Sequence, residues 1–189
     1  TVAIEPKLTI GISTSTPAGT TIIAGSNQVE FTRYLLDATM SSEDLALTSL
    51  PLAYGVEKGS GNATDLTNCK LYDGSTVVST TVNPTSVSQE INFYSDGKAL
   101  IIAKGYSKQL SLKCDVRSGT SGTYNWAYSP ITATPVVAGT PSGQKAVIIT
   151  SAGSGYAMSV SNAGTLSVFL DTLSAYKLVS PGETAELAR

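Results

Sequence analysis

The amino-acid sequence predicts an all-β chain folded as a two-sheet sandwich with mostly antiparallel pairing, on three observations. Short alternating or apolar runs recur throughout, among them LTIGIS, LTNCKLYDG, EINFYSD, SKQLSLKCDV, TYNWAYSPI and YAMSVS, whereas helical periodicity is nearly absent. Turn-forming clusters such as TPAGT, EKGSGN, YDGS, SDGK and SAGSG separate those runs. The composition agrees, since 41% hydrophobic against 14% charged residues, with 17 Gly and 8 Pro, is the balance of a strand-rich and loop-rich domain. A chain of 189 residues buries about 70% of the surface that its unfolded form exposes, enough for one sizeable core without staples.

The first strand is expected in LTIGIS, with Leu8, Ile10 and Ile12 on one face. In QVEFTRYLLDAT, Val29 and Phe31 set one parity while Tyr34, Leu36 and Ala38 set the other, which a bulge near Thr32 and Arg33 reconciles. The same shift recurs between Leu45/Leu47 and Leu50/Leu52, on the strand expected to complete a hairpin with it. Ser42 and the acidic residues after it resemble a helix start, but alternation through Leu45-Ala46-Leu47-Thr48 favours two strands joined by a turn. Asp73-Gly74 marks a two-residue hairpin, because Gly accepts the positive φ such turns need. Tyr124, Trp126 and Tyr128 alternate and so share one face. Turned outward they would form a stacking platform for a sugar; turned inward they are core, which a lone Trp in a sandwich of this length favours.

Cys69 keeps register with Leu71, and Cys114 with Leu112 and Val116, so both thiols point where their apolar neighbours point. Two inward cysteines on separate strands permit an inter-strand or inter-sheet disulfide closing about 45 residues, for which chain entropy gives about 4 kcal/mol. Two buried free thiols are the other reading. A bridge would place the protein outside the reducing cytosol.

The chain contains no His, which removes the Ser-His-acid triad, the Cys-His dyad and the usual zinc sites. Its 14 acidic residues are scattered, Glu43-Asp44 being the one adjacent pair, so no carboxylate couple for glycoside hydrolysis stands out and no enzymatic activity is expected. Asp65, Asp73, Asp96 and Asp115 fall at strand ends or turns, the ordinary place of turn-forming Asp. EKGSGN and SAGSG lack the Gly-Lys-Ser/Thr of a phosphate loop. No cofactor or metal is expected. A net charge of -2 without a basic cluster argues against nucleic acid as partner, and no apolar run reaches the ~18 residues of a membrane span, so no membrane insertion is expected. Asn62-Ala63-Thr64 fits the N-glycosylation acceptor pattern in an expected exposed loop. Thr rather than Met stands first and no basic-then-apolar leader precedes it, so any secretion signal is expected to have been removed or to lie outside this sequence.

The chain also begins one pattern twice. KLTIGISTSTPAGTTIIAGSNQVEFTR near the start is answered by TLSVFLDTLSAYKLVSPGETAELAR at the end. Leu8, Ile10 and Ile12 correspond at equal spacing to Leu166, Val168 and Leu170; Ile22-Ile23-Ala24-Gly25 corresponds to the stretch from Leu178 to Gly182, and Phe31 to Leu187. A period this long is that of a whole domain. Residues 1–163 are therefore expected to form one module, and residues 164–189 the opening strands of a second copy.

The runs FTRYLLDATMSSEDLALTSLPLAYG, DLTNCKLYDGSTVV, LIIAKGYSKQLSLKCDV and SGTYNWAYSP resemble the immunoglobulin-like β-sandwich modules found in tandem in large secreted surface proteins of bacteria, notably of the candidate-phyla lineages. The resemblance covers most of residues 8–130, and its motifs are structural. It implies an immunoglobulin-like antiparallel β-sandwich, an extracellular setting and no activity. The chain departs from the pattern by placing Cys69 and Cys114 where an aliphatic residue and an Ala are usual, and two departures at facing core positions strengthen the disulfide reading.

An isolated pair of strands is marginal in water, so the C-terminal copy is expected to pack on an adjacent tandem module or on another copy of the chain. In strand donation, Leu166, Val168, Leu170, Leu178 and Leu187 would fill pockets of that neighbour. Repeated head to tail, the contact does not close and builds a filament. The expected function is a structural subunit of an extracellular filament, pilus or surface layer; the alternative is a cell-surface adhesin or carbohydrate-binding module with a glycan as partner.

Overall fold

Alternation turns into strands along most of the chain. The computed structural model describes residues 5–151 and 153–162. Its strands are β1 (Lys7–Ile12), β2 (Thr21–Ile23), β3 (Val29–Asp37), β4 (Leu45–Val56), β5 (Leu66–Asp73), β6 (Thr76–Val77), β7 (Ser88–Tyr94), β8 (Leu100–Ile102), β9 (Ser107–Val116), β10 (Gly122–Tyr128), β11 (Val136–Gly139), β12 (Val147–Thr150), β13 (Gly153–Ser154) and β14 (Met158–Ser161), with a single 3₁₀ turn at Ala63–Asp65. One sheet runs β12-β1-β3-β9-β5-β6. The other is built on the long β4, with β10 and β11 along one side and β7 and β8 along the other; β14 and then β2 continue it beyond β10.

The two sheets pack as a sandwich, and the fold is all-β as the sequence predicts. Neither sheet is purely antiparallel, however: β1 pairs with β12 and β14 with β2 in parallel. Both exceptions arise where the chain crosses from one sheet to the other instead of folding back on itself. The same holds for β3 and β4, which were expected to form a hairpin. They lie in different sheets, and the turn between them arches over the core.

Parity shifts do mark bulges. Glu30 pairs with Lys113 and Thr32 with Leu112, so Phe31 is the extra residue, one position before the expected bulge; it lets Phe31, Tyr34 and Leu36 all be fully buried. On β4, Leu47 pairs with Val137 and Ser49 with Val136, which makes Thr48 the extra residue and turns both Leu45/Leu47 and Leu50/Leu52 into the core. The β5–β6 turn is centred one residue later than expected: Asp73 pairs with Thr76, and Gly74, at φ +60°, is its first central residue.

Candidate interaction site

Cys69 and Cys114 form a disulfide between the neighbouring strands β5 and β9 of one sheet, and both are fully buried. The register slips between Thr67 and Lys70, and Asn68 takes a left-handed conformation at φ +50°. Asn68 is held there by its side-chain amide, which donates to Asp115 at 2.9 Å; Asp115 also accepts the backbone N–H of Gln28, itself left-handed at φ +51°, at 2.8 Å. Asp115, next to last in β9 and so at a strand end as the sequence suggests, thus holds two exposed left-handed residues, Asn68 in β5 and Gln28 just before β3. The residues expected to act in assembly, Leu166, Val168, Leu170, Leu178 and Leu187, lie outside the described residues, as do all of residues 164–189 and the expected boundary at 163.

Tyr124, Trp126 and Tyr128 all face inward with no accessible surface, so they form core and no stacking platform. Trp126 packs against Tyr54, with ring centroids 4.9 Å apart, and edge-on against Phe93 at 5.8 Å. At one end of β10 the Tyr124 hydroxyl donates to Asp65 at 2.6 Å, and the same carboxylate accepts the Asn62 N–H at 2.7 Å. Burial, and then the carboxylate beside it, holds the Tyr124 phenol above its usual ionisation range. Gly61 and Gly122 make room for that hydroxyl: a Cβ at either would come within 2.6 Å of it.

Several of the remaining carboxylates also hold backbone. Glu43 accepts from Ser142 N–H at 3.1 Å and from the Ser142 hydroxyl, fixing the turn after β11. Glu90, on β7, gathers the loop between β10 and β11: it accepts N–H groups of Ile131 at 2.5 Å and Ala133 at 2.7 Å and the Thr132 hydroxyl at 2.9 Å. Burial would raise its pKa, but these donors outweigh burial and hold the carboxyl below its ordinary range. Among the described residues no three His, Cys, Asp or Glu side chains converge as metal ligands, and no helix is long and apolar enough to cross a membrane.

The opposite end of β10 is organised differently. Tyr128 is fully buried, yet its hydroxyl has no hydrogen-bond partner. Burial pushes its ionisation up; Thr150 lies near enough to oppose that shift but not in hydrogen-bonding geometry. Tyr128 lines a cleft of about 340 Å³ whose walls include Pro130 and Pro135 from the loop between β10 and β11, Ala146 just before β12, and Ile148 and Thr150 of β12. β12, which carries Ile148 and Thr150, is the outermost strand of its sheet among the described residues. Val147 N–H bonds to Pro6 and Ser151 N–H to Ile10, both at 2.8 Å, so the odd-numbered residues address β1 and the backbone groups of Ile148 and Thr150 face away from it. Val136, Val147 and Ile149 are exposed on the same flank. KAVIIT reads as a strand in the sequence, but nothing local to it tells that its outer edge is unpaired; for Glu90 too there is no sequence signal, because its loop lies 41 residues and more away.

The fold and its site define the class as an all-β sandwich in which β12 has one unpaired edge among the described residues. No protein-family model matches the chain, and no curated protein is similar to it. Three solved structures align with it at low similarity. A structure reported as "AvmM Catalyzes Macrocyclization in Alchivemycin A Biosynthesis" shares 12% identity at a TM-score of 0.41, covering 88% of this chain and 93% of that one. A family 123 glycoside hydrolase from Clostridium perfringens shares 11% at 0.35, covering 82% and 27%. ACE19, the collagen-binding subdomain of the Enterococcus faecalis surface protein ACE, shares 13% at 0.22, covering 75% and 92%. At these TM-scores none of the three carries an inference about activity or partner.

Proposed function

We propose that the chain is a non-catalytic structural module of an extracellular filament, pilus or surface layer, joined to its neighbours by strand donation from its C-terminal segment. One observation carries the reading. Leu8 and Ile10 of β1 are fully buried between the sheets, and it is their pattern that Leu166 and Val168 repeat. Side chains fitted to fill a sandwich core gain about 1.5–3 kcal/mol each on leaving water, and the place they would take in this module is already held by its own β1. The buried disulfide supports an oxidising setting. A carbohydrate-binding role loses its aromatic platform, since Tyr124, Trp126 and Tyr128 are core.

Light scattering and electron microscopy of the full chain at rising concentration test the reading. Head-to-tail oligomers are expected, with Val168→Asp reducing them to monomers. A chain that remains monomeric at every concentration, or assemblies indifferent to Val168→Asp, would end it.

A further inference from the structure

We propose that the cleft between β12 and Tyr128 is the acceptor for residues 165–170 of a second copy, which extends the sheet beyond β12; this rests on the strand-donation reading above. Two features meet there. The first is an edge, where the backbone groups of Ile148 and Thr150 face away from β1 and meet no partner strand among the described residues. The second is the opening of about 340 Å³ beside that edge, lined by Ile148 and Thr150, the alternate residues of β12, and by Ala146 just before it. A strand laid beside β12 would send every second side chain into it, which is the spacing of Leu166, Val168 and Leu170.

Chain direction argues for a second copy over the chain's own segment. β14 runs antiparallel to β10, with Met158 opposite Tyr124 and Val160 opposite Gly122, so the chain leaves the sheet at the Gly122 end. The cleft is at the Tyr128 end, and the seven residues of β10 span about 20 Å. From Asn162 to Leu166 the chain reaches about 14 Å when fully extended. Leu166 therefore cannot enter the cleft of its own module, whereas it can enter that of a module stacked beyond the Gly122 end. Donor and acceptor at opposite ends of one body give a contact that repeats without closing.

The decisive probe is a synthetic peptide of residues 163–172, titrated against the full chain carrying Val168→Asp, which disables that chain's own donor. Binding is expected, and at least tenfold loss is expected when Thr150→Pro is added to the chain. That substitution removes an outward N–H from an edge strand, where Pro is tolerated, so unfolding in denaturant should be unchanged. Tyr128→Phe, which removes a hydroxyl with no accessible surface, is the control and should leave the peptide affinity unchanged. No binding, or a Thr150→Pro chain that binds as tightly as the Tyr128→Phe control, overturns the acceptor site. If the peptide binds as expected while the unsubstituted chain never assembles, the acceptor stands and the filament reading falls. If the chain assembles through Val168 and Thr150→Pro does not matter, the filament reading stands and this acceptor falls.

Discussion

On the flank where β5 and β7 approach each other, residues 78–82 stitch the two sheets together. Val82 exchanges both backbone hydrogen bonds with Cys69 at 2.9 Å, Thr80 N–H reaches Tyr94 at 2.8 Å, and Val78 donates to Leu71 at 2.9 Å. The disulfide lies directly inside that seam, joining β5 to β9. On the opposite flank, β12 has a partner strand only in β1 among the described residues, exposes Val147 and Ile149, and borders a cleft that the buried, unpartnered Tyr128 also lines. An edge strand is a template for another chain unless something covers it. Here one flank is covered by the chain itself and covalently fastened, and the other is short, apolar and open. The difference teaches that stability and association are assigned to different sides of one sandwich, so each can be perturbed without the other.

The largest effect belongs to the closed flank. Replacing both Cys69 and Cys114 by Ala should cost about 2–5 kcal/mol, read as a fall in the denaturant midpoint, while peptide binding at β12 by whatever remains folded is unchanged. A loss well under 2 kcal/mol would mean that the seam at residues 78–82 holds the flank without the bridge.

The two ends of β10 make the sharper contrast, because the same substitution removes a hydroxyl from each. Tyr124→Phe deprives buried Asp65 of its 2.6 Å donor and should cost about 1–3 kcal/mol. Tyr128→Phe removes a hydroxyl that bonds to nothing, so stability should stay level or rise by up to about 1 kcal/mol. Equal losses at both positions, measured in matched urea titrations, would show that Tyr128 has a partner in the free protein and that the open flank is less open than its geometry.

Much of this was legible in the sequence wherever the signal was local. Alternation located the long strands, and the parity shifts at Phe31 and between Leu47 and Leu50 announced two bulges to within a residue or two. Inward register of Cys69 and Cys114 pointed to a pair that the structure bridges. What stayed hidden is non-local. Whether β3 and β4 share a sheet depends on the path of the arch between them, and alternation is identical in either case. Parallel pairing of β1 with β12 joins residues at opposite ends of the module, and an open edge is defined by the strand that is not beside it. Asp65, Asp115 and Glu90 resemble ordinary turn or surface acids until their donors, from elsewhere in the chain, come within reach.

The smallest expected effect lies at the rim of the open flank and depends on pH. Glu90 binds the loop 131–133 through N–H groups and a hydroxyl that all require an accepting carboxylate, and the same loop leads into the Pro135 wall of the cleft. Its folded pKa lies below its ordinary value because those donors outweigh the cost of burial. A depressed carboxylate stabilises the fold fully above its unfolded pKa of about 4.3, and that contribution is lost as pH falls through the lower, folded value. Amide exchange at Ile131 and Ala133 should therefore show constant protection from neutral pH down to the unfolded value and lose it only below. Glu90→Gln, with one accepting oxygen instead of two, should leave these amides weakly protected at every pH while the exchange of β9 on the far flank is untouched. Loss of protection already near neutral pH in the unsubstituted chain, or protection in Glu90→Gln equal to it, would show that packing around Pro130 and Pro135 holds the loop and that the carboxylate does not.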